Sequence, residues 1–330
     1  MSGPLNDQIL LEVLNLKKYF PVRSKILKRH IGWIRAVDGV SFRVEKGEIF
    51  GLVGESGCGK STLGKTIHGI YRPHEGRVRF EGNLIGGPSG KMVKGMRNRL
   101  QYVYQDPGTS LDPWWTIRRT LMEPLIIHTN LGKFQIKERI RMILREVGLR
   151  EEHLERFPHE FSGGQQRRLG LARILTLSPS LITFDEPTSG LDVSVQATIL
   201  KLLKKLKEDH DLTYIFISHN LAVIRMMCQR VGVMYLGKLV EVGLTEKLFQ
   251  SPKHPYTQFL LAAIPEPGVR KEDVILQGEP PNPEERPGGC CFWPRCQFGE
   301  SICRNREPEL EEMGEGHSVA CNLAGKLSRL

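Results

Sequence analysis

Apolar and polar positions alternate over Ile9–Leu16 and again over Val40–Val44, the period-two pattern of half-buried strands. Short apolar runs at Glu48–Val53, Ser180–Phe184 and Thr213–Ser218 predict strands buried on both faces, and Arg77–Glu81, Leu100–Tyr104, Val231–Tyr235 and Lys238–Val242 predict further strands. Helical spacing marks Lys60–Gly69, Gly163–Leu177, Ser194–Glu208 and Leu221–Cys228. From Thr116 to Leu149 the pattern is helical, punctuated by Pro124 and Gly148. The basic segment Pro21–Arg35 reads as a loop. Strands alternating with helices imply a largely parallel sheet covered on both faces, interrupted by a helical subdomain. Beyond Ile264 come Pro265, Pro267, Pro280, Pro281, Pro283, Pro287 and Pro294 without periodicity. That tail is too poor in apolar residues to build a core of its own, so something other than burial must order it.

A chain of 330 residues, 40% hydrophobic and 25% charged, is neither a disordered chain nor a coiled coil, and its length favours one large domain with an appendage. No apolar run approaches the ~18 residues of a membrane helix, and the start, Met1 to Asp7, lacks a signal pattern. The expectation is a cytosolic chain, held at a membrane only by something else. The net charge of +10 points to an acidic partner: nucleic acid, a lipid surface or an acidic protein groove. Of seven cysteines, Cys290, Cys291, Cys296, Cys303 and Cys321 crowd the tail, which in a reducing compartment suggests metal more than disulfides.

The sharpest chemical signal is Gly54-Glu55-Ser56-Gly57-Cys58-Gly59-Lys60-Ser61-Thr62, which fits G-x-x-x-x-G-K-[ST] between a predicted strand and a predicted helix. Its glycines let backbone N–H groups converge on phosphate oxygens at a helix N-terminus. Lys60 is expected to reach the β- and γ-phosphates and the Ser61 hydroxyl to bind Mg²⁺. The apolar strand ending in Asp185 and Glu186 supplies a carboxylate for the metal and another to orient an attacking water.

Phe161-Ser162-Gly163-Gly164-Gln165, some twenty residues before that strand, resembles the signature of the ABC (ATP-binding cassette) ATPases. The family's other marks follow in order over residues 8–264: Tyr19 or Phe20 where an aromatic stacks on adenine, Gln105 in the Q-loop, Ser189-Gly190-Leu191-Asp192 in the D-loop, and His219 as the switch histidine. The resemblance implies a P-loop α/β cassette: a RecA-like core, an antiparallel β subdomain and a helical subdomain near 106–178, followed by a small irregular Cys-rich extension, 265–330. It implies that ATP lies against Phe20 and the loop Gly54–Thr62, and that Ser61, Gln105 and Asp185 serve Mg²⁺. Glu186 is the implied base, with His219 and Gln105 supporting hydrolysis. Ser162, Gly163, Gly164, Gln165 and Asp192 would close on the ATP of a partner subunit, so that hydrolysis needs a dimer.

The tail text around Cys291-Phe292-Trp293-Pro294-Arg295-Cys296 and His317–Cys321 resembles the C-terminal extension of oligopeptide and dipeptide importer ATPases, as do Ser110–Pro113, His254-Pro255-Tyr256-Thr257 and the basic insertion Pro21–Arg35. Gln165–Arg168 is more similar to the second of the two ATPase subunits in such systems. In that family Cys290, Cys296, Cys303 and Cys321 would bind a [4Fe–4S] cluster; soft thiolates also accept zinc, and Cys291 could compete with Cys290. Cys58 reads as a small residue that could also be sensitive to oxidation. The implied protein is the ATP-hydrolysing motor of a peptide importer at the cytoplasmic face of the plasma membrane. Its partners would be a second ATPase subunit, identical or homologous, two permease subunits seated near Gln105, and an extracytoplasmic binding protein, with no nucleic acid. The alternative is a soluble ABC-type ATPase acting on nucleic acid or in iron–sulfur assembly.

Overall fold

The alternating start of the chain builds β1 (Ile9–Arg23), antiparallel to β2 (His30–Glu45). In this computed structural model the described residues are 8–23, 30–88, 95–105, 111–263, 281–282, 284, 286–314 and 316–326. Lys25, Lys28 and Arg29 of the basic segment, residues 106–110 and the prolines at 265, 267, 280 and 283 lie outside them. The chain divides into two units, Met1–Lys91 with Phe216–Leu330, and Met92–Ile215.

In the first unit the continuous apolar run becomes β3 (Ile49–Val53), buried at every position. The phosphate-loop sequence links it to α1 (Lys60–Ile67); β4 (Glu75–Phe80) and β5 (Asn83–Gly86) follow. An antiparallel sheet forms in the order β2-β1-β4-β5. The described residues of the segment read as a loop, 21–23 and 30–35, belong to this ladder, with Pro21 opposite Trp33 and Val22 opposite Gly32. The pairing of β1 with β4 ends at Lys17↔Glu75, so beyond it β1 is paired on one side only, where proline is admissible.

The second unit contains α2 (Met96–Arg99), β6 (Leu100–Val103), α3 (Ile117–His128), α4 (Lys133–Glu146), α5 (Gly163–Leu175), β7 (Leu181–Asp185) and α6 (Val193–His210). β6 and β7 are parallel. The helical stretch is two helices. Pro124 sits inside α3 without ending it; the break falls at 129–132, and Gly148, with φ +71°, follows the end of α4. Leu121 and Leu125 of α3, Ile140, Ile143 and Leu144 of α4 and Leu171 of α5 are buried.

The chain returns to the first unit within β8 (Thr213–Ile217), followed by α7 (Leu221–Met227), β9 (Arg230–Tyr235), β10 (Lys238–Leu244), α8 (Thr245–Gln250) and α9 (Pro255–Ala262). β9 is parallel to β3 and antiparallel to β10. The tail adds α10 (Ser301–Asn305), β11 (Glu311–Glu312) and β12 (Ser318–Val319). β12 pairs with β10, Glu241 opposite Val319, so the tail is ordered by edge addition to a sheet that already has a core. Two-residue strands carry no periodicity to detect, and they were not expected from the sequence.

Candidate functional site

The phosphate loop leaves β3 at Gly54 and enters α1 at Lys60. Gly59 caps the helix at φ +108°, and a Cβ there would lie 2.0 Å from the carbonyl oxygen of Ala36. No other residue type fits that turn. Lys60 is buried and donates from Nζ to the carbonyls of Gly54 (2.7 Å) and Glu55 (2.9 Å) and, at 3.6 Å, to Cys58 Sγ. Ser56 and Gly57 are exposed at the tip, while Ser61 and Thr62 are half-buried on the first turn of α1. Cys58 is buried, and burial pushes its thiol up, with Lys60 pulling against the rise. It is a packed neutral thiol and not the reactive one that its place before a helix suggested.

On β1, Tyr19 donates its hydroxyl to Asp38 Oδ1 (2.6 Å) and stacks on His74 with centroids 5.5 Å apart. Phe20, the next residue and so on the opposite face of the strand, meets the Tyr71 ring edge-on at 5.4 Å. Both candidate aromatics are half-buried. His219 is exposed between β8 and α7; the cap of α7 is Asn220, whose Oδ1 accepts from the N–H groups of Ala222 (3.0 Å) and Val223 (3.4 Å).

In the second unit β7 ends on Asp185, which is buried and accepts the Tyr102 hydroxyl at 2.6 Å. Glu186 follows with φ +50°, left-handed strain at the expected base. Gln105 is exposed, its Nε2 3.5 Å from Ser189 Oγ. Ser162 caps α5 through a reciprocal box: its Oγ accepts from Gln165 N–H (3.4 Å) and Gln165 Oε1 accepts from Ser162 N–H (3.0 Å). Gly163 and Gly164 open α5, and Asp192 stands exposed at the N-cap of α6. Arg167, quoted in the sequence only as part of the run Gln165–Arg168 and given no role there, donates to the carbonyls of Pro187 and Ser189 (the latter 2.8 Å) and so ties the D-loop to the signature helix.

Near the end of the chain, Glu241 is buried under β12, accepting from the N–H groups of Lys253 (2.7 Å) and His254 (3.0 Å) and lying 2.7 Å from His317 Nε2. Arg286 donates to Asp38 and, from Nη2 at 2.7 Å, to Cys291 Sγ. The structure lends no support to the cluster expected on Cys290, Cys296, Cys303 and Cys321. Among the described residues no group of three or more His, Cys, Asp or Glu side chains is arranged to hold a metal ion. Burial raises the thiols, Cys290 to about 12 and Cys296 to about 11, and Cys321 likewise.

A glycine-built phosphate cradle opening a helix, with a buried aspartate ending an apolar strand, defines the class: a P-loop nucleoside-triphosphate-binding protein. Residues 37–189 match the ABC transporter family and residues 240–303 the oligopeptide/dipeptide transporter C-terminal region. The oligopeptide transport ATP-binding protein AppF of Bacillus subtilis is 46% identical over 323 residues, 96% of this chain and 98% of that one. The dipeptide transport ATP-binding protein DppF of Haemophilus influenzae is 42% identical over 314 residues, 94% and 96% of the two chains. Among solved structures, cbiO1 of Clostridium perfringens, part of the ABC transporter complex cbiONQ, is similar with a TM-score of 0.62 and 26% identity, over 74% of this chain and 92% of that one. The chain belongs to the family of oligopeptide and dipeptide ABC transporter ATP-binding proteins.

Proposed function

We propose that this chain is the ATP-binding and ATP-hydrolysing motor subunit of an ABC importer for di- and oligopeptides. The observation that carries the reading is a complete phosphate loop and an oligopeptide-type C-terminal region in one chain, with relatives at 42% and 46% identity over nearly its whole length. In this reading Gly54 to Thr62 and Lys60 hold the phosphates and Phe20 or Tyr19 faces the adenine. Ser61, Asp185 and Gln105 are the oxygen donors for Mg²⁺. Hydroxyl, carboxylate and amide oxygens suit a hard cation, and the buried Asp185 is already aimed by Tyr102. Bound Mg²⁺ offsets charge on the transferring phosphoryl group. Glu186 accepts the proton of the attacking water, and His219 and Gln105 orient it.

Ser162 to Gln165 and Asp192 act on the nucleotide of a second ATPase subunit, by the logic of a helix N-terminus facing anions. Two permease subunits are the mechanical load, and an extracytoplasmic binding protein delivers the peptide. A groove of about 400 Å³ in the second unit, lined by Tyr104, Glu123, Pro124, Ile127, His128 and Arg173 among others, suits a short cytoplasmic helix of a permease. No helix among the described residues is long and apolar enough to cross a membrane, and docking to permeases places the chain at the cytoplasmic membrane face. An ATPase acting on nucleic acid or in iron–sulfur assembly is not favoured, because the match continues into the oligopeptide-type region.

Glu186→Gln is expected to lower ATP turnover roughly a hundredfold or more while leaving Mg·ATP bound; unchanged turnover rejects Glu186 as the base. A gentle membrane pull-down should recover permeases, and salt-sensitive retention on nucleic acid without them favours the other reading. A [4Fe–4S] cluster on Cys290, Cys296, Cys303 and Cys321, or zinc in its place, rests on family resemblance and on the electrostatic proximity of these thiols. Stoichiometric iron and acid-labile sulfide in anaerobically purified protein restores it, and their absence leaves the tail a packed staple.

A further inference from the structure

The phosphate loop is fastened from the far end of the chain. Its second residue, Glu55, donates its amide N–H to the Tyr256 hydroxyl (2.9 Å). The Glu55 carboxylate receives both terminal nitrogens of Arg295, at 2.8 and 3.0 Å. Arg295 Nη1 also lies 3.4 Å from the Tyr235 hydroxyl, and its guanidinium is 5.9 Å from that ring's centre. The Arg295 side chain is 5% exposed against 26% for Glu55, so the pair is desolvated chiefly on the arginine side. A forked guanidinium–carboxylate pair fixes direction as well as distance.

The arginine is itself held. It ends a 3₁₀ turn, Trp293–Arg295, next to Phe292, whose ring packs on Tyr235 and Tyr256 (5.3 Å each) and on His254 (5.8 Å). On the loop side, the Glu55 carbonyl accepts Lys60 Nζ at 2.9 Å, so whatever places Glu55 also places the phosphate-binding ammonium. The motif leaves position 55 open, and nothing in the loop's own chemistry calls for a carboxylate there. A second tie runs parallel: Arg286 bonds Asp38, whose other oxygen takes the Tyr19 hydroxyl.

We propose that Arg295 is a positioning residue of the ATP site, acting through Glu55, so that the C-terminal extension sets the shape of the phosphate loop and its affinity for Mg·ATP. This rests on the reading that the loop binds ATP. The test uses the full-length chain, calorimetric titration with Mg·ATP, and amide hydrogen exchange of residues 54–61 without nucleotide. Arg295→Ala is expected to weaken Mg·ATP binding roughly fivefold or more and to speed exchange in the loop, with Arg295→Lys restoring part of both. Combined with Glu55→Ala it should weaken binding no further than either change alone. Asn322→Ala, which removes a tail hydrogen bond to the Arg306 carbonyl (2.9 Å) away from the loop, should leave binding unchanged. Unaltered affinity in Arg295→Ala, fully additive losses, or an equal loss in Asn322→Ala overturns the proposal. Should Arg295→Ala unfold the tail, Glu55→Gln breaks the fork from the loop side and is judged by the same criteria. A wild-type chain that fails to bind Mg·ATP overturns the parent reading, and the exchange rates still decide the latch: unchanged exchange in Arg295→Ala rejects it.

Discussion

Glycine is required at some positions of the phosphate loop and merely convenient at others. At Gly59 a Cβ would stand 2.0 Å from Ala36 O at φ +108°, whereas at Gly57, φ +79°, nothing lies within 4 Å. Gly57→Ala should therefore cost only the left-handed strain, about 1 kcal/mol. Gly59→Ala must move backbone as well and should cost well over ~2 kcal/mol. Denaturant midpoints of the two variants measure the difference, and equal losses reject the steric account. Lys60, Ser61 and Asp185 stand out in the sequence because each carries its chemistry in its own side chain, whereas the loop glycines stand out by their spacing. Glu186 was legible as a carboxylate, but its left-handed backbone was not, since a positive φ in a non-glycine residue is imposed from outside.

Among the elements, the apolar runs of β3, β7 and β8 became strands buried at every residue, the outcome periodicity predicts when both faces are covered. Residues 21–23 and 30–35 were misread as loop because their polar character and proline suit one, while the ladder between β1 and β2 is long-range. Helix α9 shows what an element's cap can do. His254 is fully buried; Nδ1 accepts from Tyr256 N–H at 3.0 Å, and burial holds the imidazole down to about 4, against the pull of Glu241 and a hydrogen bond to the backbone of Ala320. The native state thus binds fewer protons than the unfolded chain between about 4 and 6.5. Its contribution to stability is complete above that window and declines as pH falls through it, by roughly 1–3 kcal/mol. Urea midpoints from pH 7 to pH 4 should fall more steeply in the wild type than in His254→Asn, which keeps a capping oxygen but cannot titrate. Parallel slopes sink the assignment.

For the molecule as a motor, the groove of the second unit is where the proposed load attaches. Ile127 at its lining is 64% exposed. Ile127→Glu should reduce permease recovery from solubilised membranes severalfold while shifting folding stability by no more than about 0.5 kcal/mol. Undiminished recovery would place the permease elsewhere. Arg295, Tyr256 and Arg286 act on the first unit's phosphate loop and β1 from positions that a motif search passes over. His254-Pro255-Tyr256-Thr257 was visible as a family mark without a role; the hydroxyl of Tyr256 under the Glu55 amide supplies one.

The spacing of the phosphate loop and of the apolar strand ending in Asp185 and Glu186 was enough to point to nucleotide chemistry, because those residue types at that spacing are themselves the chemistry; the cassette and the kind of transporter were read from family resemblance. Tertiary structure alone decided which aromatic and arginine side chains hold the phosphate loop and how β12 orders the tail on the edge of β10. Those outcomes depend on burial and on pairing between residues as far apart as Glu55 and Arg295, which local pattern does not encode.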